Sequence, residues 1–196
     1  MWGRPPFDQF REVLGCPAKR SEHIMKILET PRLVLREFLA QDVDALSMIL
    51  SDPETMRFYI KPFDRRGVED WIARNRQRYT KDGHGLWAMI LKSSGELIGD
   101  CGFVLQAVDG ANEVEIGYHV RRDHWGQGLA TEAARACRDF GFANFPVERL
   151  ISLIRPENVP SRRVAEKNGM TIWKEIVRVG LPHLVYSIRR ENAGKS

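Results

Sequence analysis

Two glycines, Gly126 and Gly128, stand where a strand pattern gives way to a long helical pattern. Glycine lets the backbone approach a ligand closely, and the first turn of a helix presents unpaired N–H groups and a partial positive charge. A turn of this kind binds phosphate groups. The spacing matches neither GxGxxG nor GxxxxGK[ST], so the dinucleotide-binding and P-loop classes lose support.

A strand and a helix must position this turn. Before the turn, apolar residues alternate with polar ones as they do in a strand: Val114, Ile116, Tyr118 and Val120. After it, apolar residues recur at helical spacing: Leu129, Ala130, Ala133, Cys137 and Phe140. The sequence therefore predicts a strand–turn–helix unit with the glycines at the join.

The rest of the chain alternates strand and helix patterns in the same way. Strands are predicted over residues 26–38, 86–91, 97–105, 113–120, 150–154, 171–179 and 183–190. Helices are predicted over residues 42–50, 68–79 and 158–168, beside the long helix from residue 129. Residues 52–67 and the turn 180–182 are predicted as loops. This order predicts an α+β (mixed α/β) single domain, with helices on both faces of a central twisted mixed sheet.

We expect the domain to occupy residues 26–196, with a sheet of about seven strands and four helices. Residues 1–25 are predicted to be an N-terminal extension that the fold can lose. Short apolar stretches bracketed by Pro5-Pro6 and Cys16-Pro17 precede a strong strand pattern there.

Charge and composition narrow the classes of function. The chain has 196 residues, of which 43% are hydrophobic and 29% charged, with a formal net charge of +4. A mild positive charge favours an anionic ligand such as a phosphorylated cofactor. Basic runs with interleaved aromatic residues do not occur, so we expect no direct nucleic-acid binding.

The cysteines and the hydrophobic runs bear on the cellular compartment. Cys16, Cys101 and Cys137 form no CxxC pair, so neither a disulfide framework nor a zinc site is predicted. Cys101 and Cys137 lie in apolar patterns and are expected to be buried thiols. No apolar run approaches the roughly 18 residues of a membrane helix. A cytoplasmic protein is therefore expected.

The glycine turn resembles motif A of the GCN5-related N-acetyltransferases (GNAT family), whose pattern is [QR]-x-x-G-x-[GA] after a central strand. The string WGQGLATEA from Trp125 resembles the RimJ/RimL-type branch, the ribosomal-protein N-terminal acetyltransferases. Three further landmarks follow the family's order: TPRLVLR from Thr30, LIGDCG from Leu97 and NVPSRRVAEKNGM from Asn158. The resemblance spans residues 26–190 and implies a GNAT-like fold.

The resemblance implies acetyl-CoA as cosubstrate and no metal. In the family the motif strand separates from the next strand, pantetheine lies in the gap, and backbone N–H groups hold the pyrophosphate. The residues that correspond to these contacts are Tyr118, His119, Val120, Trp125, Gly126, Gln127, Gly128, Leu129, Ala130, Thr131, Asn158 and Ser161. Asp123 departs from the family, because it stands where the pattern has Gln or Arg.

The resemblance also suggests the groups that move protons. Glu115 is the first candidate for the general base, because many family members use a glutamate of this strand. Glu113 and His119 share its polar side by alternation and stay open as alternatives, as does a chain of water molecules.

The general acid is less well marked. Many family members place a tyrosine seven residues after the asparagine that corresponds to Asn158, where it can protonate the leaving thiolate. Here that position is Ala165. Ser161, water or Tyr186 remain as candidates. Asn158 and Ser161 also suit the start of a helix, where they cap backbone N–H groups.

The acceptor site is expected from the loop 52–67, Trp87 and the turn 179–183. Aromatic residues of the loop could line it: Phe58, Tyr59 and Phe63. Trp87 is more typical of a core residue.

The resemblance implies an acetyl-CoA-dependent N-acetyltransferase that moves an acetyl group to a primary amine by direct attack in a ternary complex. The acceptor is either a protein N-terminus or a small-molecule amine, and fold alone does not separate these. We expect a monomer or homodimer. A catalytically silent acyl-CoA-binding or sensor module stays open as the alternative, because of Asp123 and Ala165.

Overall fold

The structure is a computed structural model that describes residues 26–193, so the expected extension over residues 1–25 lies outside the described residues. The described chain forms one mixed sheet of eight strands with four α-helices. The strands are β1 Lys26–Glu29, β2 Leu33–Arg36, β3 Leu86–Leu91, β4 Leu97–Val108, β5 Ala111–Val120, β6 Arg149–Ile154, β7 Thr171–Arg178 and β8 Leu181–Arg189. The helices are α1 Val43–Leu50, α2 Arg65–Lys81, α3 Leu129–Asn144 and α4 Val159–Lys167.

The strand order across the sheet is β1-β2-β3-β4-β5-β6-β8-β7. Neighbouring strands are antiparallel except β5 and β6, which are parallel and are connected through α3. This mixed α/β single domain confirms the predicted fold class.

The first predicted strand, residues 26–38, is in fact two antiparallel strands, β1 and β2. Between them the Thr30 N–H donates to the Leu33 carbonyl over 2.9 Å, and the Leu33 N–H donates to the Thr30 hydroxyl over 2.9 Å. Pro31 cannot donate a ladder hydrogen bond and favours a turn. The sheet therefore has eight strands where about seven were expected.

Two predicted loops also end differently. Helix α2 begins at Arg65, because the Asp64 carboxylate caps it by accepting from the Gly67 N–H over 2.7 Å. The last hairpin turns at Val179 and Gly180, with φ of 53° and 73°. Two positive φ values suit a two-residue hairpin turn. Strand β8 consequently starts earlier than predicted, before residue 183.

The helices cover both faces of the sheet. Adjacent residues of a strand point to opposite faces, as Asp100 and Cys101 do in β4. Asp100 accepts a hydrogen bond from the Trp71 indole of α2 over 3.1 Å. The buried Cys101 thiol lies 3.5 Å from the Cys137 sulfur of α3. Helices α2 and α3 therefore lie on opposite faces, and both thiols are buried as predicted.

Helix α4 lies on the same face as α3. Tyr118 pairs with Cys101 in the β4–β5 register and shares its face. The Tyr118 hydroxyl donates to the Ser161 carbonyl of α4 over 2.9 Å. On this face the core includes Trp87, which is 3% exposed and packs edge-on against Phe103 at 5.6 Å between ring centroids.

Strands β5 and β6 separate soon after they meet. Their register has one pair, Glu115 with Ile151. Beyond it, side chains make the links: the Ser152 hydroxyl donates to the Ile116 carbonyl over 2.8 Å, and the Leu153 N–H donates to the Glu115 carboxylate over 3.2 Å. An open gap follows between the two strands, beside the carboxyl end of β5.

Within residues 26–193, the structure has no helix that is both long enough and apolar enough to cross a membrane.

Candidate active site

Two cavities, each of about 520 Å³, open at the gap between β5 and β6. The helix-end cavity lies against the first turns of α3 and α4. The α2-face cavity lies between α2, the residues just before it, and the polar side of β5. Six residues line both cavities and form what we call the junction: Phe58, Tyr59, Tyr118, His119, Asn158 and Ser161. Any two molecules that occupy the cavities meet at this junction.

The helix-end cavity brings together the predicted cofactor-binding residues, with one exception. Those that line it are Tyr118, His119, Val120, Trp125, Gly126, Gly128, Leu129, Ala130, Thr131, Asn158 and Ser161. The exception is Gln127, whose carbonyl accepts from the Arg32 guanidinium over 2.9 Å and whose side chain donates to the Asp123 carbonyl over 3.3 Å. Gln127 therefore stabilises the turn from outside the cavity.

The glycine turn has the form of an anion cradle. Gly126 and Gly128 have φ of +75° and +77°, a left-handed conformation that favours glycine. A Cβ added at Gly126 would have no neighbour within 4 Å. Helix α3 begins at Leu129, so its first N–H groups lack helical acceptors and face the cavity. These features fit the pyrophosphate of coenzyme A.

Asp123, the departure from the motif, is not among the residues that line this cavity. Its carboxylate accepts from the Arg121 guanidinium over 2.8 Å. That hydrogen bond lowers the pKa of Asp123. Asp123 thus pairs with Arg121 in the segment just before the glycine turn and does not obstruct the cradle.

Glu115 lies on the α2-face cavity, close to the junction. Its carboxylate accepts from the Gln106 side-chain amide over 2.5 Å and from the Leu153 N–H. Burial raises the pKa of Glu115, and these two hydrogen bonds only partly oppose that rise. A carboxylate with a raised pKa is better matched to accepting a proton near neutral pH.

A chain of hydrogen bonds runs through the junction from Tyr59 to Asp100. The Tyr59 hydroxyl lies 2.7 Å from His119 Nε2, and His119 Nδ1 lies 2.7 Å from the Asp100 carboxylate. Asp100 is fully buried and also accepts from the His119 N–H and from the Trp71 indole, each over 3.1 Å. Asp100 therefore fixes the ring of His119, and His119 in turn holds the hydroxyl of Tyr59.

The electrostatics of this chain suit a group that carries a proton. Burial alone would lower the pKa of His119, but the charge of Asp100 and its hydrogen bond outweigh burial and raise it. Burial raises the pKa of Tyr59 far above its usual value, so its hydroxyl keeps its proton. Both residues were named from the sequence, but Asp100 was missed. A charged residue inside the apolar strand pattern 97–105 was the signal that could have marked it.

Two of the alternative candidates for base and acid, Glu113 and Tyr186, lie outside both cavities. Glu113 pairs with Arg149 over 2.8 Å and lines neither cavity. The Tyr186 hydroxyl accepts from the Arg162 guanidinium over 3.2 Å and donates to Glu166 over 3.0 Å, and it also lines neither. Ser161 lies at the junction, where the Asn158 side chain caps its N–H over 3.2 Å.

The expected acceptor residues are largely on one surface. Phe58, Tyr59 and Phe63 line the α2-face cavity, together with Val179, Leu181 and His183 of the last hairpin. Trp87 belongs to the core instead. Among residues 26–193, no group of three or more His, Cys, Asp or Glu side chains is placed to hold a metal ion.

We expect Asp100→Asn to lower the free energy of unfolding by about 1–3 kcal/mol, because an amide cannot accept from all three of its donors. The raised pKa of His119 adds stability that is present below its unfolded value of 6.5 and is lost as pH rises through the native pKa. The difference from the native protein should therefore be larger at about pH 5.5 than at about pH 9. Urea unfolding at both pH values measures it.

Asp70→Asn, on the exposed side of α2, removes the same charge and serves as the control. An equal loss of stability at both pH values for Asp100→Asn would show that Asp100 does not govern the protonation of His119.

A family model described as an acetyltransferase (GNAT) domain matches residues 32–171. The chain belongs to the GNAT family. It is 38% identical over 166 residues to the uncharacterized protein YkkB of Bacillus subtilis strain 168, covering 84% of this chain and 96% of that one. It is 35% identical over 154 residues to the uncharacterized N-acetyltransferase p20 of Bacillus licheniformis, covering 77% and 84%. This GNAT protein is an N-acetyltransferase.

The solved structure of Mycobacterium smegmatis RimJ in complex with CoA-disulfide has the same fold, with a TM-score of 0.66 and 23% identity over 84% of this chain and 85% of that one. The likeness to the RimJ/RimL-type branch of the GNAT family is therefore confirmed at the level of the fold.

Proposed function

We propose that this GNAT enzyme moves the acetyl group of acetyl-CoA to a primary amine by direct attack in a ternary complex. The observation that carries the proposal is the meeting of two cavities at one junction. One cavity ends in an anion cradle, and the other presents a carboxylate and aromatic side chains. Such an arrangement holds two substrates side by side, which is what direct transfer needs.

The first substrate would occupy the helix-end cavity. Backbone N–H groups from Gly126 to Ala130 would hold its pyrophosphate at the start of α3. Backbone groups of Gly117 to Val120, on the unpaired edge of β5, would pair with the pantetheine amides as a neighbouring strand would. The thioester, which supplies the acetyl group, would then lie at the junction.

Glu115 would take one proton from the ammonium form of the acceptor. The amine nitrogen then attacks the thioester carbonyl carbon, so that one C–N bond forms and the C–S bond breaks. The acetyl group is then bonded to nitrogen, the nitrogen loses its second proton to solvent because Glu115 already holds the first, and the sulfur leaves as a thiolate. No electrons are exchanged with another reactant, and no enzyme side chain is acylated.

Tyr59 would protonate the leaving thiolate. Its hydroxyl is at the junction and stays protonated, and His119 beside it can replace the proton.

We expect Tyr59→Phe to lower kcat about tenfold to a hundredfold, since a thiolate is a fair leaving group even without an acid. The dissociation constant for acetyl-CoA should change little. Rapid-mixing kinetics and calorimetry measure these, and an unchanged kcat would assign the acid to Ser161 or water.

Both kinds of acceptor amine are compatible with the α2-face cavity. A volume of about 520 Å³ holds a small molecule or the first residues of a peptide. The likeness to RimJ, a member of the ribosomal-protein branch, supports a protein N-terminus.

The test is an acceptor screen that measures thiol release from acetyl-CoA, with peptides and small amines on one plate. We expect at least one amine to accelerate thiol release and to gain ~42 Da, the mass that an acetyl group adds. Tight coenzyme A binding with no thiol release from any amine would instead indicate a silent acyl-CoA-binding module.

A further inference from the structure

The α2-face cavity is strongly basic. Its basic residues come from α2, from the loop before α2, and from the ends of β6, β7 and β8: Lys61, Arg74, Arg78, Arg155, Arg178 and His183. Of the described residues that line this cavity, Glu115 is the one acid. The cavity therefore combines one carboxylate with an excess of positive charge.

Among the described residues, most of this positive charge has no acidic partner in an ion pair. Within residues 26–193, Arg74, Arg78 and Arg178 form no ion pair with an acidic side chain. Arg78 donates to the neutral Asn75 side chain over 3.4 Å, and Arg178 donates to the neutral Gln106 side chain over 3.2 Å. Burial, and then the nearby charge of Arg74, lower the pKa of Arg78. An anion among these residues would offset the repulsion between Arg74 and Arg78 and favour the charged form of Arg78.

Arg155 gives a second, independent sign of a missing partner. Its side chain is 18% exposed and reaches the exposed Glu157 carboxylate over 3.3 Å with one terminal nitrogen. Its Nε atom is buried and has no hydrogen-bond partner in the described part of the chain. A buried guanidinium N–H without an acceptor is costly, so this atom marks a position for an acceptor oxygen.

The cofactor does not account for these cations. The cradle at Gly126 and Gly128 lies in the helix-end cavity, whereas Arg74, Arg78 and Arg178 line only the α2-face cavity. Pantetheine, which would reach the junction, carries no charge. The unpaired arginines thus face the space that the acceptor amine would occupy.

We propose that the acceptor is an amine that also carries a carboxylate or phosphate group. The arginine cluster would hold this anionic group by charge-assisted hydrogen bonds, and Glu115 would attract the ammonium group. The inference rests on the proposed acetyl transfer and names the substrate class of the same site. A small anionic amine and a peptide with acidic residues near its N-terminus share this chemistry.

The test compares matched pairs of amines by kcat/KM in the thiol-release assay. The members of each pair differ in the presence of the anionic group: an amino acid and its carboxamide, phosphoethanolamine and ethanolamine, and a short peptide with acidic or neutral second and third residues. We expect the anionic member to be preferred by about tenfold to a hundredfold, the range of charge-assisted hydrogen bonds. The small-molecule pairs and the peptide pair separate the two sources of the anion.

Arg78→Gln and Arg178→Gln should each lower the ratio of kcat/KM between the anionic and the neutral amine toward one. Arg178 is exposed, so its replacement is not expected to impair folding. Arg66→Gln is the matched control, because Arg66 is exposed on α2, lines neither cavity and carries the same charge. A preference that falls equally in Arg66→Gln would reflect net charge and overturn the arginine site.

Two failures can be told apart. Turnover of neutral amines with a preference near one would overturn the anionic acceptor and leave acetyl transfer standing. Absence of turnover with every amine would overturn the proposed function, and this inference with it.

Discussion

Glu115→Gln should lower kcat/KM for amine acetylation by about 10²–10⁴-fold at neutral pH, the usual cost of losing a general base. Glutamine keeps the shape of the side chain and can still accept the Leu153 N–H. Turning the Gln106 amide to accept from the new one would give up its hydrogen bond from Arg178, so one local hydrogen bond is lost while the shape is kept. The loss should shrink at high pH, where the acceptor amine is already deprotonated. A pH–rate profile measures this.

Glu113→Gln is the matched control for this experiment. Glu113 lies two residues earlier on the same side of β5, but its partner is Arg149 and it lines neither cavity. We expect it to retain near-native kcat/KM, with some loss of stability. Glu115→Gln with native rates at every pH would transfer the role of base to His119 or to a water chain.

Gly128→Val should weaken coenzyme A binding by about a hundredfold or more. Residue 128 has φ of +77° and lines the helix-end cavity, so a branched side chain there is strained and obstructs the cradle. Moving the turn to relieve that strain would also misplace the N–H groups of α3. Isothermal titration calorimetry of coenzyme A, with circular dichroism to verify folding, measures the effect.

Gly110→Val is the control that distinguishes an obstructed anion cradle from the general effect of backbone strain. Gly110 has φ of +79°, has open space around its Cβ position, and lines neither cavity. Both variants should lose similar stability, but only Gly128→Val should lose coenzyme A binding. Gly126→Ala, a milder change in the same turn, provides a second measurement if the valine variant fails to fold. Native affinity in folded Gly128→Val or Gly126→Ala would place the pyrophosphate elsewhere.

The parts of the site that were predictable are the local ones. The glycine turn, the strand before it and the helix after it follow from patterns within about twenty residues, and the two cavities join near the end of that strand. The split of the first strand at Pro31 was harder, because β1 and β2 are only four residues long and each contains a short apolar run.

The long-range contacts of the site could not be read from the sequence. Tyr59 and His119 are sixty positions apart, and no local pattern links them. Asp100 meets His119 only because the antiparallel register of β4 and β5 puts them opposite each other. The arginines of the α2-face cavity come from three separate segments, each of which reads alone as an ordinary solvated surface.

The single pair between β5 and β6 would also link the stability of the fold to the proposed cosubstrate. A ligand whose amides pair with the unpaired edges of both strands becomes, in effect, an extra strand of the sheet. Binding of this kind adds about 2.7 kcal/mol to stability when the ligand is present at a hundred times its dissociation constant. The abundance of such a protein in a cell would then follow the supply of coenzyme A, because the unliganded form would unfold and be degraded more often.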